Sequence, residues 1–392
     1  MITVQEAKQL IVEHTLKCSP IIQHISASHQ HVLAADVYAI CNIPAFKQSS
    51  MDGYAIKFSD KDLPLELVGE MAAGTSQNLE ITAGQACRIF TGAPLPHGAD
   101  TVVMQEKISL ENGKLIIQDN NLSLGLNTRD EGSEIEIGAL AMQEGNYLTA
   151  AAIGFLAGVG VTEVLVYPLP KVSIILTGKE LTKPGFPLLF GQVYESNSYS
   201  LTAALNQAGI TDVAVLEADD DLEILTQVIQ KVLSQSDIII LTGGVSVGDY
   251  DFVLEASRLC NIEQIFHKVK QKPGKPLFFG KLNQKLIFGL PGNPSSVLSC
   301  FYNYVLPAIS LFSGKQNPVK EIKAELLNDY KKPIGLTHFL KGNYNDGKAA
   351  ALGAQDSYRL SSFAQANCLI MLEEGEEHFA KGDVVNVLLI PE

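Results

Sequence analysis

A chain of 392 residues is too long for one ordinary domain, and its 46% of hydrophobic residues can fill two to four packed cores. The formal net charge of -14 argues against broad binding to nucleic acid or anionic membranes, although a local basic patch could still hold phosphate. The six cysteines are scattered without a CxxC pair, which is typical of reduced thiols in a cytoplasmic protein.

The N-terminal part of the chain predicts a helix followed by a β-rich region. Residues 1–17 space their apolar side chains as in an amphipathic helix and lack the apolar core of a signal peptide. Residues 46–139 alternate short apolar runs with Gly, Pro and Asn turns, which predicts an inserted β-rich domain. We expect residues 20–45 and 140–167 to pair across this insertion as one discontinuous elongated domain. The uncharged run at 147–162 is too short for a membrane span and predicts a buried helix.

Beyond residue 168 the pattern changes to alternating strands and helices. Strands are predicted at 172–176, 213–216, 237–241 and 285–289, and helices at 198–208, 222–233 and 294–311. This alternation predicts a three-layer α/β domain, formed by residues 1–19 and 168–315, with helices on both faces of a sheet. Short apolar strands return in residues 316–392, so we expect a C-terminal β-domain there.

Glycine-containing turns follow three of the predicted strands. They are Thr177-Gly178, the stretch from Thr242 to Gly248 with Gly243, Gly244 and Ser246, and the turn from Gly289 to Pro294 with Pro291, Gly292 and Asn293. A single turn of this kind usually binds nothing, but three parallel strands would bring their turns to one rim of the sheet. Glycine lets backbone N–H groups approach a ligand closely, and Pro294 suits the first turn of a helix. Together the turns predict a phosphate-binding site.

Charged residues cluster beside these turns. Two prolines and Gly274 fix the backbone of the segment KPGKP, so Lys272 and Lys275 are predicted to act as point charges for phosphate or another oxyanion. The acidic candidates at the strand ends are Glu180, Asp219, Asp249 and Asp251. Carboxylates in such a crevice can hold Mg²⁺ together with waters and phosphate oxygens, while capping of a helix is the alternative for Asp219 and Asp249.

Five motifs together resemble the molybdopterin molybdenumtransferase family, the MoeA and gephyrin E-domain type, over nearly the whole chain. They are SSMDGYAI (49–56), TGAPLPHGAD (91–100), TGGVSVGDYD (242–251), KPGKP (272–276) and GLPGNP (289–294). The resemblance implies a cytoplasmic, elongated homodimer that uses Mg²⁺ to insert molybdate into adenylylated molybdopterin and releases AMP. It also implies that the β-rich domain of the partner subunit completes the cleft of the molybdopterin-binding α/β domain. Further implied partners are the adenylyltransferase and the recipient molybdoenzymes.

Matching the family motifs position by position assigns roles to individual residues. The implied catalytic residues are Asp52, Thr91, Glu180, Asp219, Asp251, Lys272 and Lys275, of which Glu180, Asp219 and Asp251 would also bind the metal. The implied substrate-binding residues are Arg129, Ser361 and Ser362, together with Gly178, Gly243, Gly244, Ser246, Gly248, Gly289, Pro291, Gly292 and Asn293.

Two departures from the family pattern keep alternatives open. Lys179 and Ser133 both stand where the family has an acidic residue, and Lys179 reverses the charge beside the expected Mg²⁺ site. A pterin-binding scaffold with a degenerate site is therefore one alternative. A molybdopterin adenylyltransferase is another, because residues 171–312 resemble the domain that both activities share, but the additional β-rich domains favour the insertase.

Overall fold

The computed structural model describes residues 1–244 and 252–391, which form two compact units. The first unit comprises Met1–Ile21, Gln30–Val32 and Tyr167–Glu392, and the second comprises Ile22–His29 and Leu33–Val166. The α-helices in the described residues are α1 (Val4–His14), α2 (Ala150–Gly158), α3 (Asn197–Gln207), α4 (Leu222–Leu233), α5 (Phe252–Leu259), α6 (Pro294–Cys300) and α7 (Leu306–Phe312).

The second unit consists mainly of short strands, as the sequence predicted. The strands between residues 21 and 167 are β1 (Ile21–His24), β2 (Val32–Leu33), β3 (Val37–Tyr38), β4 (Gln48–Ser49), β5 (Gly53–Ile56), β6 (Glu66–Met71), β7 (Gln85–Ile89), β8 (Thr101–Met104), β9 (Ile108–Glu111), β10 (Lys114–Ile117), β11 (Thr128–Arg129), β12 (Leu140–Met142) and β13 (Glu163–Tyr167). The four strands β6-β7-β5-β8 form one sheet, whose core includes Ala55, Cys87 and Val102. The finer division into an inserted domain and a discontinuous domain stays a prediction.

The helix α2 corrects one expectation from the sequence. Its apolar stretch predicted a buried helix, but Leu156 is its only buried residue, and Ala150 and Gly154 are exposed. Leu156 packs with Leu33 and Val164 in a small apolar core. The prediction of burial was wrong because small residues such as alanine and glycine make a helix apolar without giving it a large surface to bury.

A six-stranded sheet forms the centre of the first unit. The strands between residues 172 and 290 are β14 (Val172–Thr177), β15 (Leu181–Thr182), β16 (Val193–Tyr194), β17 (Val213–Ala218), β18 (Ile238–Thr242), β19 (Glu263–Lys268), β20 (Gln271–Lys272), β21 (Pro276–Leu282) and β22 (Lys285–Leu290). The sheet order is β17-β14-β18-β22-β21-β19. The first four strands are parallel, β21 runs antiparallel to them, and β19 pairs antiparallel with β21 and so runs in the direction of the first four.

Alternate residues of the central strands point to opposite faces of this sheet. In β18, Ile238 and Ile240 pack in one core with α1, α3, α6 and α7, while Ile239 and Leu241 pack in another with α4 and α5. Helices therefore cover both faces, which confirms the predicted three-layer α/β fold. A π-helical turn, Phe301–Val305, joins α6 to α7. The resulting helix Pro294–Phe312 is apolar and long enough to cross a membrane, but 83% of it is buried inside the protein, as in a core helix.

The C-terminal segment forms a small β-structure that is joined to the central sheet's domain. Its strands are β23 (Glu321–Leu326), β24 (Tyr330–Lys331), β25 (Thr337–Asn345), β26 (Lys348–Ala351), β27 (Cys368–Leu372), β28 (His378–Phe379) and β29 (Val384–Leu389). The order β25-β26-β23-β29-β27 closes on itself because β27 also pairs with β25. Strand β20 extends this closed sheet by pairing in parallel with β25, so that Lys272 lies opposite His338.

Candidate active site

The first unit contains a cleft of about 1470 Å³ at the carboxyl ends of three parallel strands. Gly178 follows β14, Gly243 and Gly244 follow β18, and Gly292 follows β22, and all four residues line the cleft. The strands end at the same level because their register pairs Leu176 with Thr242 and Thr242 with Leu290. The predicted convergence of the glycine turns is therefore confirmed for these residues.

The approach of the turns to one another requires glycine. Gly243 has a φ of +88°, and a Cβ atom at this position would lie 2.8 Å from the carbonyl oxygen of Thr177. Its N–H donates a hydrogen bond to the carbonyl oxygen of Leu290, 3.1 Å away. The turn after β18 is thus packed closely between the ends of β14 and β22.

Hydrogen bonds from buried residues fix the backbone of the segment KPGKP. Lys272 and Lys275 are exposed and line the cleft, and the Lys272–Pro273 peptide bond is cis. The side chain of the buried Gln271 donates from Nε2 to the carbonyl oxygen of Gly274 at 2.9 Å and accepts a hydrogen bond from the Tyr304 hydroxyl. This network fixes the backbone between the two lysines, so that their ammonium groups present positive charge to the cleft.

A neutral histidine lies beside the first of these lysines. Burial, together with the positive charges of Lys272 and Lys332, lowers the pKa of His338 to about 4. Near neutral pH the imidazole is therefore uncharged, and the positive charge on this side of the cleft comes from the lysines.

A loop of the C-terminal β-structure, just before the predicted Ser361 and Ser362, forms another wall of the cleft. Residues 355–358 all line the cleft. The carbonyl oxygen of Ser357 accepts a hydrogen bond from the N–H of Ser295 at 3.1 Å, and its hydroxyl oxygen accepts one from Nδ2 of Asn293 at 3.0 Å. The loop therefore secures the turn that follows β22. No glycine pattern or charge run in residues 354–359 indicated this contact.

The carboxylates in the cleft match the predicted ones only in part. Glu180 lines the cleft, and one of its carboxylate oxygens lies 2.8 Å from where a Cβ atom of Gly178 would be. Asp220 also lines the cleft, whereas Asp219 is exposed and is not one of the lining residues. Within residues 1–244 and 252–391, no group of three or more His, Cys, Asp or Glu side chains could hold a metal ion. The predicted ligand Asp251 lies outside the described residues, as do the predicted binding residues Ser246 and Gly248.

The two predicted residues of the β-rich region form a hydrogen-bonded pair within the second unit. The N–H and the hydroxyl of Thr91 both donate to Oδ1 of Asp52, each at 2.8 Å. These bonds, with a smaller contribution from Arg88, hold the pKa of Asp52 below its usual value. Arg88 itself donates to the carbonyl oxygen of Gly53 at 3.0 Å. Arg129 is exposed in β11, opposite Gln48.

Three protein-family models match consecutive parts of this chain. They are the MoeA N-terminal region (domain I and II) at residues 2–160, a probable molybdopterin binding domain at 173–310, and the MoeA C-terminal region (domain IV) at 323–390. A molybdopterin molybdenumtransferase from Haemophilus influenzae is 33% identical over 402 aligned residues, which cover 99% of this chain and 98% of that protein. The chain belongs to the molybdopterin molybdenumtransferase family. The resemblance predicted from the five motifs is thereby confirmed.

Other members of the family agree over the same length. A molybdopterin molybdenumtransferase from Staphylococcus epidermidis is 33% identical and covers 99% of this chain and 95% of its own. The crystal structure of a molybdopterin biosynthesis MoeA protein from Pyrococcus horikosii is 27% identical and superposes with a TM-score of 0.82, covering 99% of both chains. The predicted multidomain α/β fold is therefore shared with a solved structure of this family.

Several residues at positions that the family motifs single out do not line the cleft in this protein. Lys179 is exposed and is not among the lining residues, and its N–H donates to Oδ2 of Asp220 at 3.3 Å. Ser361 is exposed, and the buried Ser362 donates from its hydroxyl to the carbonyl oxygen of Ala354 at 2.9 Å. Neither serine lines the cleft, in which Ser357 lies instead, and Gly289 lies within strand β22 before the turn. The direct binding roles of Ser361, Ser362 and Gly289 stay predictions.

Proposed function

We propose that this protein inserts molybdenum from molybdate into adenylylated molybdopterin and releases AMP. The meeting of three glycine turns and two lysines in one cleft supports this proposal most strongly. Its volume of about 1470 Å³ suits a pterin joined through two phosphates to adenosine, because pockets for single drug-sized molecules usually measure only about 300–1,000 Å³. The relatives that share the full length of the chain carry the name of this activity.

The lysines and the strand-end turns would bind the oxyanions of the substrates. Lys272 and Lys275 supply positive charge for the phosphates and molybdate, and this charge becomes more valuable as negative charge develops on the AMP phosphate during cleavage. We propose Asp52 and Thr91 as further catalytic residues. They would come from the β-rich region of the partner subunit in a cytoplasmic homodimer, and the low pKa of Asp52 keeps its carboxylate ionised at neutral pH.

We include Mg²⁺ in this proposal as an ion held jointly by the protein and the substrate. Mg²⁺ commonly binds through one or two carboxylates, several waters and substrate phosphates, so it does not need three protein ligands. Glu180 and the predicted Asp251 would supply the carboxylates, and Asp220 is better placed than Asp219 to assist because it lines the cleft. When bound, the ion would neutralise charge on the phosphate oxygens.

The purified protein can be tested directly by chromatography of released AMP. Adenylylated molybdopterin should yield AMP when molybdate is added, and Lys275→Ala should lower the rate at least tenfold while the exposed-lysine control Lys323→Ala leaves it unchanged. Treatment with EDTA should stop release, and Mg²⁺ should restore it.

The same assay separates the alternatives. Transfer of AMP from ATP to free molybdopterin would instead support an adenylyltransferase. Binding of the pterin without AMP release, with turnover restored by Lys179→Asp, would instead support a degenerate scaffold. Either result would contradict the proposal.

A further inference from the structure

Asn197, the first residue of α3, lies in the wall of the cleft. It carries a buried polar atom that has no hydrogen-bond partner among the described residues. The residue lines the cleft and is only 7% exposed. Its Nδ2 donates to the carbonyl oxygen of Gly292 at 2.8 Å, whereas its Oδ1 has no hydrogen-bond partner among the described residues. Buried amide oxygens are normally hydrogen-bonded, since an unsatisfied one costs about 1–3 kcal/mol. This atom therefore points to a ligand that supplies the missing bond.

The contact with Gly292 fixes the orientation of the Asn197 amide. Exchanging its oxygen and nitrogen would place Oδ1 against the carbonyl oxygen of Gly292, so that two acceptors would face each other. The nitrogen is thus committed to the turn after β22, and the oxygen is the atom of this amide that is left without a partner.

The chemistry of an amide oxygen excludes the anionic groups as its partner. Ionised phosphate and molybdate oxygens are acceptors, as Oδ1 is, and Lys272, Lys275 and backbone N–H groups can serve them. Oδ1 needs a donor. The neutral donors of an adenylylated pterin are the amino and ring N–H groups of its two heterocycles and the hydroxyls of the ribose. The unpartnered hydroxyl of Thr242, also in the cleft, could serve either kind of group because it both donates and accepts.

We propose that Oδ1 of Asn197 accepts a hydrogen bond from a neutral N–H or O–H group of the substrate, on its nucleoside or on its pterin. Asn197 is then a specificity-determining residue, which recognises the organic part of the substrate while the lysines recognise its charge. Because Nδ2 holds Gly292, the same side chain couples this recognition to the position of the turn. The proposal rests on the function proposed above and names one contact within it.

The test compares Asn197→Leu, which keeps the branched shape without hydrogen bonding, with Asn206→Leu on the exposed end of the same helix. Calorimetric titrations in EDTA would use AMP for the nucleoside, molybdopterin for the pterin and inorganic phosphate as the acceptor-only reference. For Asn197→Leu, affinity for AMP or for molybdopterin should fall about tenfold, and affinity for phosphate should change less than about twofold. The ligand that weakens identifies the source of the donor. Asn206→Leu should behave as wild type.

Other outcomes would overturn the proposal. An equal loss for all three ligands would mean that Asn197 only positions the Gly292 turn, and no loss for any would mean that Oδ1 contacts nothing in the complex. A loss that appears only when Mg²⁺ replaces EDTA would make Oδ1 a metal ligand instead. Wild-type AMP release tests the proposed function separately, since it does not depend on any Asn197 variant.

Discussion

Replacing the buried Lys341 by methionine should loosen the loop that forms one wall of the cleft. Lys341 is only 2% exposed, and its ammonium group donates to the carbonyl oxygens of Ala354 at 2.8 Å, Arg359 at 2.9 Å and Asp356 at 3.3 Å. Methionine fills similar space without a donor. The carbonyl oxygens of Ala354 and Asp356 would keep the Ser362 hydroxyl and the Arg359 N–H as partners, so only the carbonyl group of Arg359 would lose its partner.

The size of the effect follows from the carbonyl group of Arg359. A buried acceptor that loses its partner costs about 1–3 kcal/mol, but Arg359 is an exposed residue whose carbonyl group water can partly satisfy. Burial also lowers the pKa of Lys341, which means that the folded protein disfavours the charge that methionine would remove. We therefore expect the free energy of unfolding to fall by only about 1–2 kcal/mol.

Two measurements check this reasoning. Urea unfolding should give the loss of stability, and amide hydrogen exchange should become faster at the N–H of Ser295, which is bonded to Ser357 in the loop. Lys323→Met, on an exposed position of β23, controls for the loss of a lysine. If Lys341→Met matches wild type in both stability and exchange at Ser295, the buried ammonium does not organise the loop.

Three further substitutions test other parts of the structure. Gly274→Ala should lower the free energy of unfolding in urea by about 1–3 kcal/mol, because the residue has a φ of +86° and its Cβ would lie 2.5 Å from Sγ of Cys300. Asp52→Ala should abolish AMP release while urea unfolding stays near that of wild type, because the Asp52 carboxylate is exposed and its hydrogen bonds join it to the surface turn at Thr91. His338→Gln should make the free energy of unfolding less dependent on pH between 6.5 and about 4. In this window the imidazole of the unfolded protein binds a proton and that of the folded protein does not, which lowers the stability of the wild type by up to about 3 kcal/mol.

Each of these has a clear contrary result. Wild-type stability of Gly274→Ala would mean that the segment KPGKP can shift to accept a methyl group. Full activity of Asp52→Ala would remove the β-rich region from the reaction. The sign for His338 follows from its lowered pKa, since stability must fall as pH drops through the ordinary value of 6.5. Equal pH slopes for wild type and His338→Gln would refute that assignment.

The strands and the glycine turns could be predicted because their signals are local. Continuous apolar runs identified the parallel strands, and the predicted helix at 222–233 has the same bounds as α4. Once parallel strands are expected, the meeting of Gly178, Gly243 and Gly292 at one edge follows from the geometry of a sheet. The segment KPGKP could be predicted for a similar reason, because five consecutive residues determine both its rigidity and its charge.

Other features depend on contacts that no local pattern contains. Glu195 is buried and accepts hydrogen bonds from the N–H and hydroxyl of Ser198 at the start of α3. The role of Lys341 arises from carbonyl groups 13 to 18 positions away. Asp219 and Asp220 differ by one position after β17, and the direction of each side chain there depends on the path of the loop. Such details require coordinates.

The most direct test is a crystal structure of this protein soaked with adenylylated molybdopterin. The phosphate groups should lie within hydrogen-bonding distance of the turns at Gly243 and Gly292, with the ammonium group of Lys275 beside them. Density for the ligand on another surface, with this cleft left to solvent, would contradict the assignment of the cleft as the substrate site.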